Sequence, residues 1–494
     1  MRRLRVLFVS ACLLLANHVT HAAQLAQRSP LTAAQTQAID RLIKSEMSRQ
    51  HIPGLEVGIY SRGRILLAKG YGLADVEFNV PVTPETLMQS GSVGKQFVSA
   101  AIMMLVEEHK LSLDDSITKY FPDAPASWKP ILIKNLLSHT SGLSEYESDD
   151  RTGPNGPFYL RLDFTEDQLI KKFYAMPIEW APGTKWAYRN TNYVILGVLI
   201  HKITGERYDR FLHDRIFAPL GKTSTRLISD RDIIMNRSSG YEIDERGQLK
   251  NQEWVSPTFN STADGALYFN VLDVAKWDAA LYTTRLLTQA SLDRIWTVYP
   301  LSDGKPNPAN YGFGWVITQF HGHKLIEHSG AWQGFTCDIS RYPGDSLTVV
   351  VLTNLDASHS SPEVIAHVVA GLVEPSLMPS KLTAIPDNDP AVANAVRKVL
   401  DELVAGTDIR GQVTPELAAL VTPEMSKRVQ HILAPVWPGG TLTLVERKAA
   451  PGARATVAST FRISKGSNSL LIRYGRNAAG KIAVLGFEPD RQWE

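Results

Sequence analysis

The sequence contains little cysteine, with two cysteines in 494 residues. Cys12 falls in an N-terminal segment that we expect to be removed, so Cys337 would remain alone and a disulfide framework is excluded. A lone cysteine can be a nucleophile, but "GFTCDISRYP" has the pattern of a β-strand. We therefore interpret Cys337 as a small buried hydrophobic residue.

The sequence also lacks an excess of charge of either sign. It has 52 Lys and Arg against 50 Asp and Glu, a formal net charge of +2. Removal of residues 1–23 would take away three arginines and no acidic residue, and the charge would become −1. This balance gives no indication of a nucleic-acid partner.

The first 23 residues are typical of a signal peptide. They read "MRRLRVLFVSACLLLANHVTHAA", with three arginines, an apolar run and small residues at the end. The apolar run is too short for a transmembrane helix, and no stable membrane span is expected. The "VSAC" segment resembles a lipoprotein cleavage site but precedes most of the apolar run, so lipidation at Cys12 is not expected. The predicted location is periplasmic or secreted.

The hydrophobic pattern predicts a sheet that is assembled from both ends of one domain. Two strands in "GLEVGIYSRGRILLAKGYG" follow a helix near residues 32–50. A helical and loop-rich middle part extends to about residue 300, after which strands return at "YGFGWVITQF", "HKLIEHSG", "GFTCDISRYP" and "LTVVVLTNL". The predicted fold class is an α/β (α+β) sandwich, an antiparallel sheet flanked by helices, with a helical lobe.

A proline-rich segment predicts a domain boundary. "EPSLMPSKLTAIPDNDP" holds four prolines and interrupts the periodic pattern. We predict a main domain at residues 24–373, a linker at 374–388 and a small α+β domain at 389–494, with two helical patterns followed by four strands. The sequence assigns no ligand to this second domain.

A serine three residues before a lysine occurs three times, at Ser92, Ser116 and Ser302. Only Ser92, in "QSGSVGKQF", stands before a long apolar helix. Residues three apart share a helix face, so Lys95 would lie beside Ser92 and could take the hydroxyl proton if burial lowered the lysine pKa. Ser90 occupies the place of the first glycine of a G-x-S-x-G turn, and we interpret it as a turn residue.

A Tyr-x-Asn motif occurs twice. Tyr188 and Asn190 stand in "PGTKWAYRNTNYVILG", before an apolar run. A phenol beside a lysine could act as a general base, and the amide could bind both the lysine and a substrate. The second copy, Tyr268 and Asn270, begins a predicted helix, and we interpret Tyr268 as structural.

The third motif is "HSG" at residues 328–330, where a predicted strand ends. The edge of a strand can pair with an extended substrate, and a donor side chain there can hold a carboxylate. With an ordinary pKa of about 6.5, His328 would become cationic below that pH and hold a carboxylate more strongly.

The three motifs, in this order and 96 and 140 residues apart, resemble the penicillin-recognising serine hydrolases of the class C β-lactamase group. This group includes D-alanyl-D-alanine carboxypeptidases and esterases. The segments "ILIKNLLSHTSGL", "FAPLGKTST" and "ADGALYFNVLDVAKW" add to the resemblance, which covers residues 35–373. It implies a β-lactamase/transpeptidase-like fold, no cofactor or metal, and a small-molecule or peptide substrate that could come from the cell wall.

The resemblance also implies a role for each motif residue. These are Ser92 as acylated nucleophile, Lys95 as its proton partner, Tyr188 as base or proton relay, Asn190 as ligand of lysine and substrate, His328, Ser329 and Gly330 as substrate-side strand, and the N–H groups of Ser92 and Ala331 as oxyanion hole. The motif is HSG, where dedicated β-lactamases have KTG. A neutral imidazole holds a carboxylate less strongly than an ammonium does, which argues against efficient β-lactam hydrolysis.

The sequence leaves alternatives open for the substrate class and for the group that promotes deacylation. The S-D-N motif and the deacylating glutamate of class A enzymes are not recognised, so deacylation would proceed through Tyr188. A D-amino-acid peptidase, an esterase and a β-lactamase-like enzyme all fit the motifs, because a fold does not fix a substrate. A non-catalytic cell-wall or ligand-binding protein that retains the fold is the alternative outside enzymes.

Overall fold

The computed structural model describes residues 28–153, 155–244, 246–378, 382–418, 421, 423–449, 457–466 and 468–490. The predicted signal peptide and Cys12 lie outside these residues. The described chain divides into two compact units, before and after residue 380. The predicted bounds of domain and linker remain predictions, although Leu377 packs into the core of the first unit.

The first unit contains helices and strands in alternating groups. Its helices are α1 (Ala33–Gln50), α2 (Lys95–Glu107), α3 (Ile133–Leu137), α4 (Asp149–Thr152), α5 (Glu166–Tyr174), α6 (Asn190–Thr204), α7 (Tyr208–Leu212), α8 (Val271–Ala280), α9 (Gln289–Ile295) and α10 (Pro362–Val373). Its strands are β1 (Gly54–Ser61), β2 (Arg64–Asp75), β3 (Val80–Pro81), β4 (Met88–Gln89), β5 (Arg226–Leu227), β6 (Tyr241–Ile243), β7 (Leu249–Asn251), β8 (Leu267–Phe269), β9 (Val316–Phe320), β10 (His323–Trp332), β11 (Phe335–Tyr342) and β12 (Leu347–Thr353).

The main sheet has the strand order β3-β2-β1-β12-β11-β10-β9, and neighbouring strands are antiparallel. Strand β1, from the N-terminal part, pairs with β12 from the C-terminal part, and Val57 lies opposite Val351. The prediction of one antiparallel sheet built from both ends of the domain is confirmed. Strand β9 is shorter than "YGFGWVITQF" suggested, because Gly314 has a positive φ of 76° and turns the chain before Val316.

Helices cover both faces of this sheet. Helices α1 and α10 pack on one face, where Ile43 and Ile365 join the buried side chains of β1 and β12. Helix α8 and the helical lobe cover the other face. Strand β12 is buried along its whole length, which explains why its sequence is a continuous apolar run without alternation.

Helix α2 is the centre of the helical lobe. Every residue from Lys95 to Leu105 is buried, and the helix packs against α6 and α7. A helix that is apolar nearly all round is expected in such a position. A 3₁₀ turn, Gly91–Gly94, precedes α2 and contacts β10. The fold therefore places Ser92 where the helical lobe meets the edge of the sheet.

The second unit is a small α+β structure. Its helices are α11 (Pro390–Val404), α12 (Pro415–Ala418) and α13 (Pro423–Leu433), and its strands are β13 (Thr441–Ala449), β14 (Val457–Lys465), β15 (Asn468–Arg476) and β16 (Ile482–Pro489). The four strands form an antiparallel meander. Leu400 of α11 shares a core with Phe461 and Ile472 of the sheet. Among all the described residues, no helix is both long and apolar enough to cross a membrane.

A buried carboxylate joins α8 to the main sheet. Asp278 accepts hydrogen bonds from Arg341 Nε of β11 at 2.9 Å, from Thr348 Oγ1 of β12 at 2.8 Å and from the backbone N–H of Gly63 at 2.8 Å. Both members of the Asp278–Arg341 ion pair are almost fully buried. Loss of the carboxylate would leave the guanidinium buried without its ion-pair partner.

We expect Asp278→Ala to lower the free energy of unfolding by about 3 to 5 kcal/mol, the usual result of breaking a buried ion pair on one side. Urea denaturation followed by tryptophan fluorescence measures the change. The control is Asp303→Ala, which breaks the exposed pair with Lys305 and should lower the stability far less. Equal stability of the two variants would contradict this role of Asp278.

Candidate active site

The turn before α2 is held by Ser90. The Ser90 N–H donates to the carbonyl of Leu267 at 2.8 Å, and its hydroxyl donates to the carbonyl of Gly265 at 2.8 Å. Ser90 is fully buried, whereas Ser92 is partly exposed. Ser90 is thus a structural residue of the turn, and Ser92 is the serine that a substrate could reach.

Lys95 is the first residue of α2, and its side chain is fully buried. Its Nζ donates to Ser92 Oγ at 3.0 Å, to Asn190 Oδ1 at 2.7 Å and to the carbonyl oxygen of Asp264 at 2.5 Å. Three acceptors match the three hydrogens of an ammonium group. Burial lowers the pKa of Lys95 to about 8, although the nearby acidic groups favour the charged form. The side chain can therefore exchange a proton near neutral pH.

The first Tyr-x-Asn motif lies at the start of α6, beside this lysine. The Tyr188 ring centre is 5.0 Å from Lys95 Nζ. The hydroxyl oxygen of Tyr188 is buried and makes no well-formed hydrogen bond among the described residues. Burial raises the pKa of Tyr188 well above its ordinary value, and the nearby Ser92 hydroxyl lowers it only in part. Tyr188 is therefore a neutral phenol at pH 7.

Glycines allow strand β10 to approach the turn that carries Ser92. A Cβ atom on Gly330 would lie 2.2 Å from the carbonyl oxygen of Ser90 and 3.0 Å from the backbone N of Ser92. Gly91 has a positive φ of 45°, and a Cβ there would lie 2.4 Å from the backbone N of Ala331. Any other residue at position 330 would push the strand away from the turn. The close approach brings the backbones of Ser92 and Ala331 to the wall of one small pocket.

His328 lies in the buried part of β10 and is bonded through both ring nitrogens. Its Nδ1 is 2.6 Å from the carbonyl of Ser329, so Nδ1 carries the hydrogen, and Nε2 then accepts from the Tyr311 hydroxyl at 2.9 Å. Burial, with the neighbouring Lys95 charge, lowers the pKa of His328 to about 4. The expectation that His328 becomes cationic below about pH 6.5 is therefore wrong, because burial and Lys95 move its pKa away from the unperturbed value.

The motif residues other than the buried Lys95 line one cavity of about 560 Å³. The cavity is lined by Ser92, Tyr188, Asn190 and the strand residues from His328 to Ala331, with the aromatic rings of Trp186 and Tyr311. Ser329 and Ala331 are exposed, while Gly330 is buried. The structure thus brings together the seven motif residues and Ala331, from segments that lie up to 239 positions apart in the chain.

Acidic residues of this site were missed in the sequence. Glu147 accepts from Asn190 Nδ2 at 2.6 Å, and Glu145 accepts from the Asn190 N–H at 2.6 Å. Asp264, whose carbonyl accepts from Lys95, also has its carboxylate buried nearby. The acidic segment "SEYESDD" has no periodic pattern and reads as a solvated loop. The sequence feature that could have indicated a role in the site was the position of this segment directly after "SHTSGL".

The other motif copies lie in structural surroundings. Ser116 caps a short 3₁₀ helix, and Lys119 pairs with Asp115 on the surface. Lys305 is exposed and pairs with its neighbour Asp303. Tyr268 is buried in a separate apolar cluster, and the Asn270 side chain caps α8. Cys337 is fully buried and donates to the carbonyl of Ser90 at 2.9 Å, as expected of a structural cysteine.

Comparison with known proteins adds relatives for the first unit. The Beta-lactamase family model matches residues 39–374. Protein Flp of Staphylococcus aureus (strain N315) is 27% identical over 351 residues, which cover 69% of this chain and 68% of that protein. Penicillin-binding protein 4* of Bacillus subtilis (strain 168) is 27% identical over 309 residues, which cover 59% of this chain and 66% of that protein.

Solved structures share the fold. The octameric penicillin-binding protein homologue from Pyrococcus abyssi superposes with a TM-score of 0.62 at 23% identity, over 90% of this chain and 94% of that one. The D-stereospecific amidohydrolase from a Streptomyces species gives a TM-score of 0.55 at 22% identity, over 69% and 98% of the two chains. With the family match over residues 39–374 and this fold, the chain belongs to the β-lactamase family.

Proposed function

We propose that this protein is a serine hydrolase that forms an acyl-enzyme on Ser92 and cleaves an amide, peptide or ester bond. The observation that carries the proposal is the 3.0 Å contact between Ser92 Oγ and the buried Nζ of Lys95, whose pKa is lowered to about 8. At pH 7 about one molecule in ten then has a neutral Lys95. A neutral amine can accept the Ser92 proton as the hydroxyl attacks the acyl carbon.

The surrounding groups support acylation. As the Ser92 oxygen bonds to the acyl carbon, its proton passes to Lys95, and negative charge develops on the former carbonyl oxygen. The N–H groups of Ser92 and Ala331 are the candidate donors for that oxygen. Collapse of the tetrahedral intermediate breaks the bond to the leaving group, which receives the proton from Lys95, directly or through the Tyr188 hydroxyl.

Deacylation reverses these steps with water as the nucleophile. The water loses a proton towards Tyr188 and Lys95, the acyl–oxygen bond breaks, and Ser92 regains its proton. Because the pKa of Tyr188 is raised far above neutrality, its phenolate is not populated at pH 7, so the neutral amine of Lys95 accepts the proton and Tyr188 acts as a neutral relay. The sequence left two roles open for Tyr188, base or proton relay, and we propose that it is the relay.

The site favours amide and ester substrates without a carboxylate over β-lactams and other substrates that carry one. A neutral His328, with both nitrogens bonded inside the protein, supplies no positive charge for a substrate carboxylate. The substrate-side strand would instead bind through its backbone and the exposed Ser329. A hydrolysis panel of D-alanyl peptides, short-chain esters and a chromogenic cephalosporin, with Ser92→Ala as the blank, separates these classes.

Export is part of the proposal. The signal-peptide pattern of residues 1–23 supports a periplasmic or secreted enzyme, which would meet substrates outside the cytoplasm, including cell-wall peptides. The alternative is a non-catalytic binding protein with this fold. It does not require a serine, a lysine of lowered pKa and a buried phenol in one site, and a covalent adduct on Ser92 would exclude it.

We expect a fluorophosphonate probe to modify Ser92 and no other serine of an S-x-x-K motif. Ser92→Ala should abolish labelling, whereas Ser116→Ala and Ser302→Ala should not, because only Ser92 has a buried lysine at hydrogen-bond distance. Intact mass and peptide mapping locate the adduct. Labelling that persists in Ser92→Ala would refute the assignment.

Tyr188→Phe should slow both acylation and deacylation of a p-nitrophenyl ester by about 10²-fold or more, the scale of losing a proton-transferring group. The matched control is Tyr268→Phe, since Tyr268 belongs to the other Tyr-x-Asn and lies in a separate cluster. Pre-steady-state kinetics resolve the two steps, and circular dichroism confirms folding. Similar losses in both variants would mean that the phenol of Tyr188 has no special role.

Gly330→Ala should slow probe labelling of Ser92 by about tenfold or more, because the new methyl group collides with the carbonyl of Ser90 and moves the strand. Gly344→Ala is the matched control, as a Cβ there meets no atom within 4 Å and its φ is not positive. Labelling rates and melting temperatures are compared. A Gly330→Ala protein that is labelled at the parent rate would show that this close approach is dispensable.

A further inference from the structure

The carboxyl group of Glu147 lies behind Asn190, on the side away from Lys95. Asn190 Oδ1 accepts from Lys95, which has only donors, so the Asn190 amide orientation is fixed. Asn190 Nδ2 then points to Glu147 Oε2 at 2.6 Å. Ser92, Lys95, Asn190 and Glu147 thus form a continuous line of hydrogen bonds.

The next contacts call for a proton on one of two carboxyl groups, those of Glu147 and Asp264. The Tyr146 hydroxyl is 2.8 Å from Glu147 Oε1 and 2.8 Å from Asp264 Oδ2. A phenol has one hydrogen and can donate to one of these carboxyl groups only. The other contact is a hydrogen bond only if that carboxyl group donates its own proton to the phenol oxygen. Burial, with the nearby acidic groups, raises the pKa of Glu147 to about 8, so Glu147 carries a proton at pH 7.

We propose that Glu147, as a neutral carboxylic acid, is a positioning residue for Ser92 activation: it holds the Asn190 amide towards Lys95 and withholds a negative charge that would keep Lys95 protonated. This inference rests on the proposed function, since it assigns Lys95 as the base. Glu147 acts through Asn190 and Lys95 and need not touch the substrate.

Several charged or titratable groups face this pair. Those around Glu147 are Glu145, Tyr146, Asp264 and Lys95, and those around Lys95 include Tyr188, Tyr193, His139 and His328. The histidines are neutral at pH 7 because burial lowers the pKa of both. The tyrosines are neutral because burial raises theirs. The pKa values of Lys95 and Glu147 are both about 8, so the two groups ionise in the same pH range.

Two substitutions separate positioning from charge. Glu147→Gln reproduces the protonated acid, because its carbonyl can accept from Asn190 and its NH₂ can donate to Tyr146, but it cannot ionise. Glu147→Ala removes the acceptor for Asn190. The control is Glu253→Gln, since Glu253 is an exposed carboxylate paired with Arg161. The measurement is the second-order rate of Ser92 labelling by a neutral fluorophosphonate from pH 6 to pH 10.

We expect the parent rate to rise with pH over a broad range, because Lys95 and Glu147 compete to lose the first proton. Glu147→Gln should rise as a single ionisation, with its midpoint about 0.3 to 0.5 pH unit lower and faster labelling near pH 8. Glu147→Ala should label about tenfold more slowly at its maximum, the scale of one lost buried hydrogen bond. Glu253→Gln should follow the parent.

Four other results would contradict either this proposal or the proposed function. A Glu147→Gln profile that coincides with the parent, or lies on its alkaline side, overturns the electrostatic role. A Glu147→Ala protein that folds and labels at the parent maximum overturns the positioning role. Loss of labelling in Glu147→Gln to the level of Glu147→Ala would mean that the ionised carboxylate is the working form, which also contradicts the proposal. Absence of Ser92 labelling in the parent at every pH is the separate failure of the proposed function.

Discussion

Burial of the Lys95 side chain at the start of α2 is the constraint on which the rest of the site depends. An ammonium group without contact with water must find acceptors inside the protein or lose its proton. Lys95 does both in part: it has three acceptors at 2.5 to 3.0 Å, and its pKa is lowered to about 8. A lysine poised in this way can serve as a base beside the Ser92 hydroxyl, which belongs to a partly exposed residue.

The fold supplies these acceptors from distant parts of the chain. Asn190 is the first residue of α6, and Asp264, whose carbonyl accepts from Lys95, lies in the segment before β8. Glycines at positions 91 and 330 let the turn and strand β10 approach more closely than side chains would permit. The helical lobe and the edge of the sheet therefore meet near the Lys95 ammonium group. Residues from both of them line the cavity that opens there.

The sequence predicted the parts of this arrangement that local pattern encodes. The apolar helix after Lys95 and the strands at both ends of the domain were sufficient to predict the sheet. The group of motif residues was predicted through the resemblance of the three motifs to a known family. The state of His328 could not be predicted, because its lowered pKa arises from burial and from the nearby charge of Lys95, which no local pattern encodes. Glu147 was missed for the same reason, since its acidic loop becomes part of the site only through tertiary packing.

Activation of Ser92 as proposed requires that Lys95 loses its proton near neutral pH. A titration of the Lys95 side chain measures its pKa directly. In protein labelled with ¹³C at the lysine Cε positions, the Lys95 signal can be assigned by comparison with Lys95→Arg and followed from pH 6 to pH 11. We predict a midpoint near pH 8, well below the 10.5 of an ordinary lysine. A midpoint at or above 10 would show that Lys95 stays charged at neutral pH, and it would contradict the account of how Ser92 is activated.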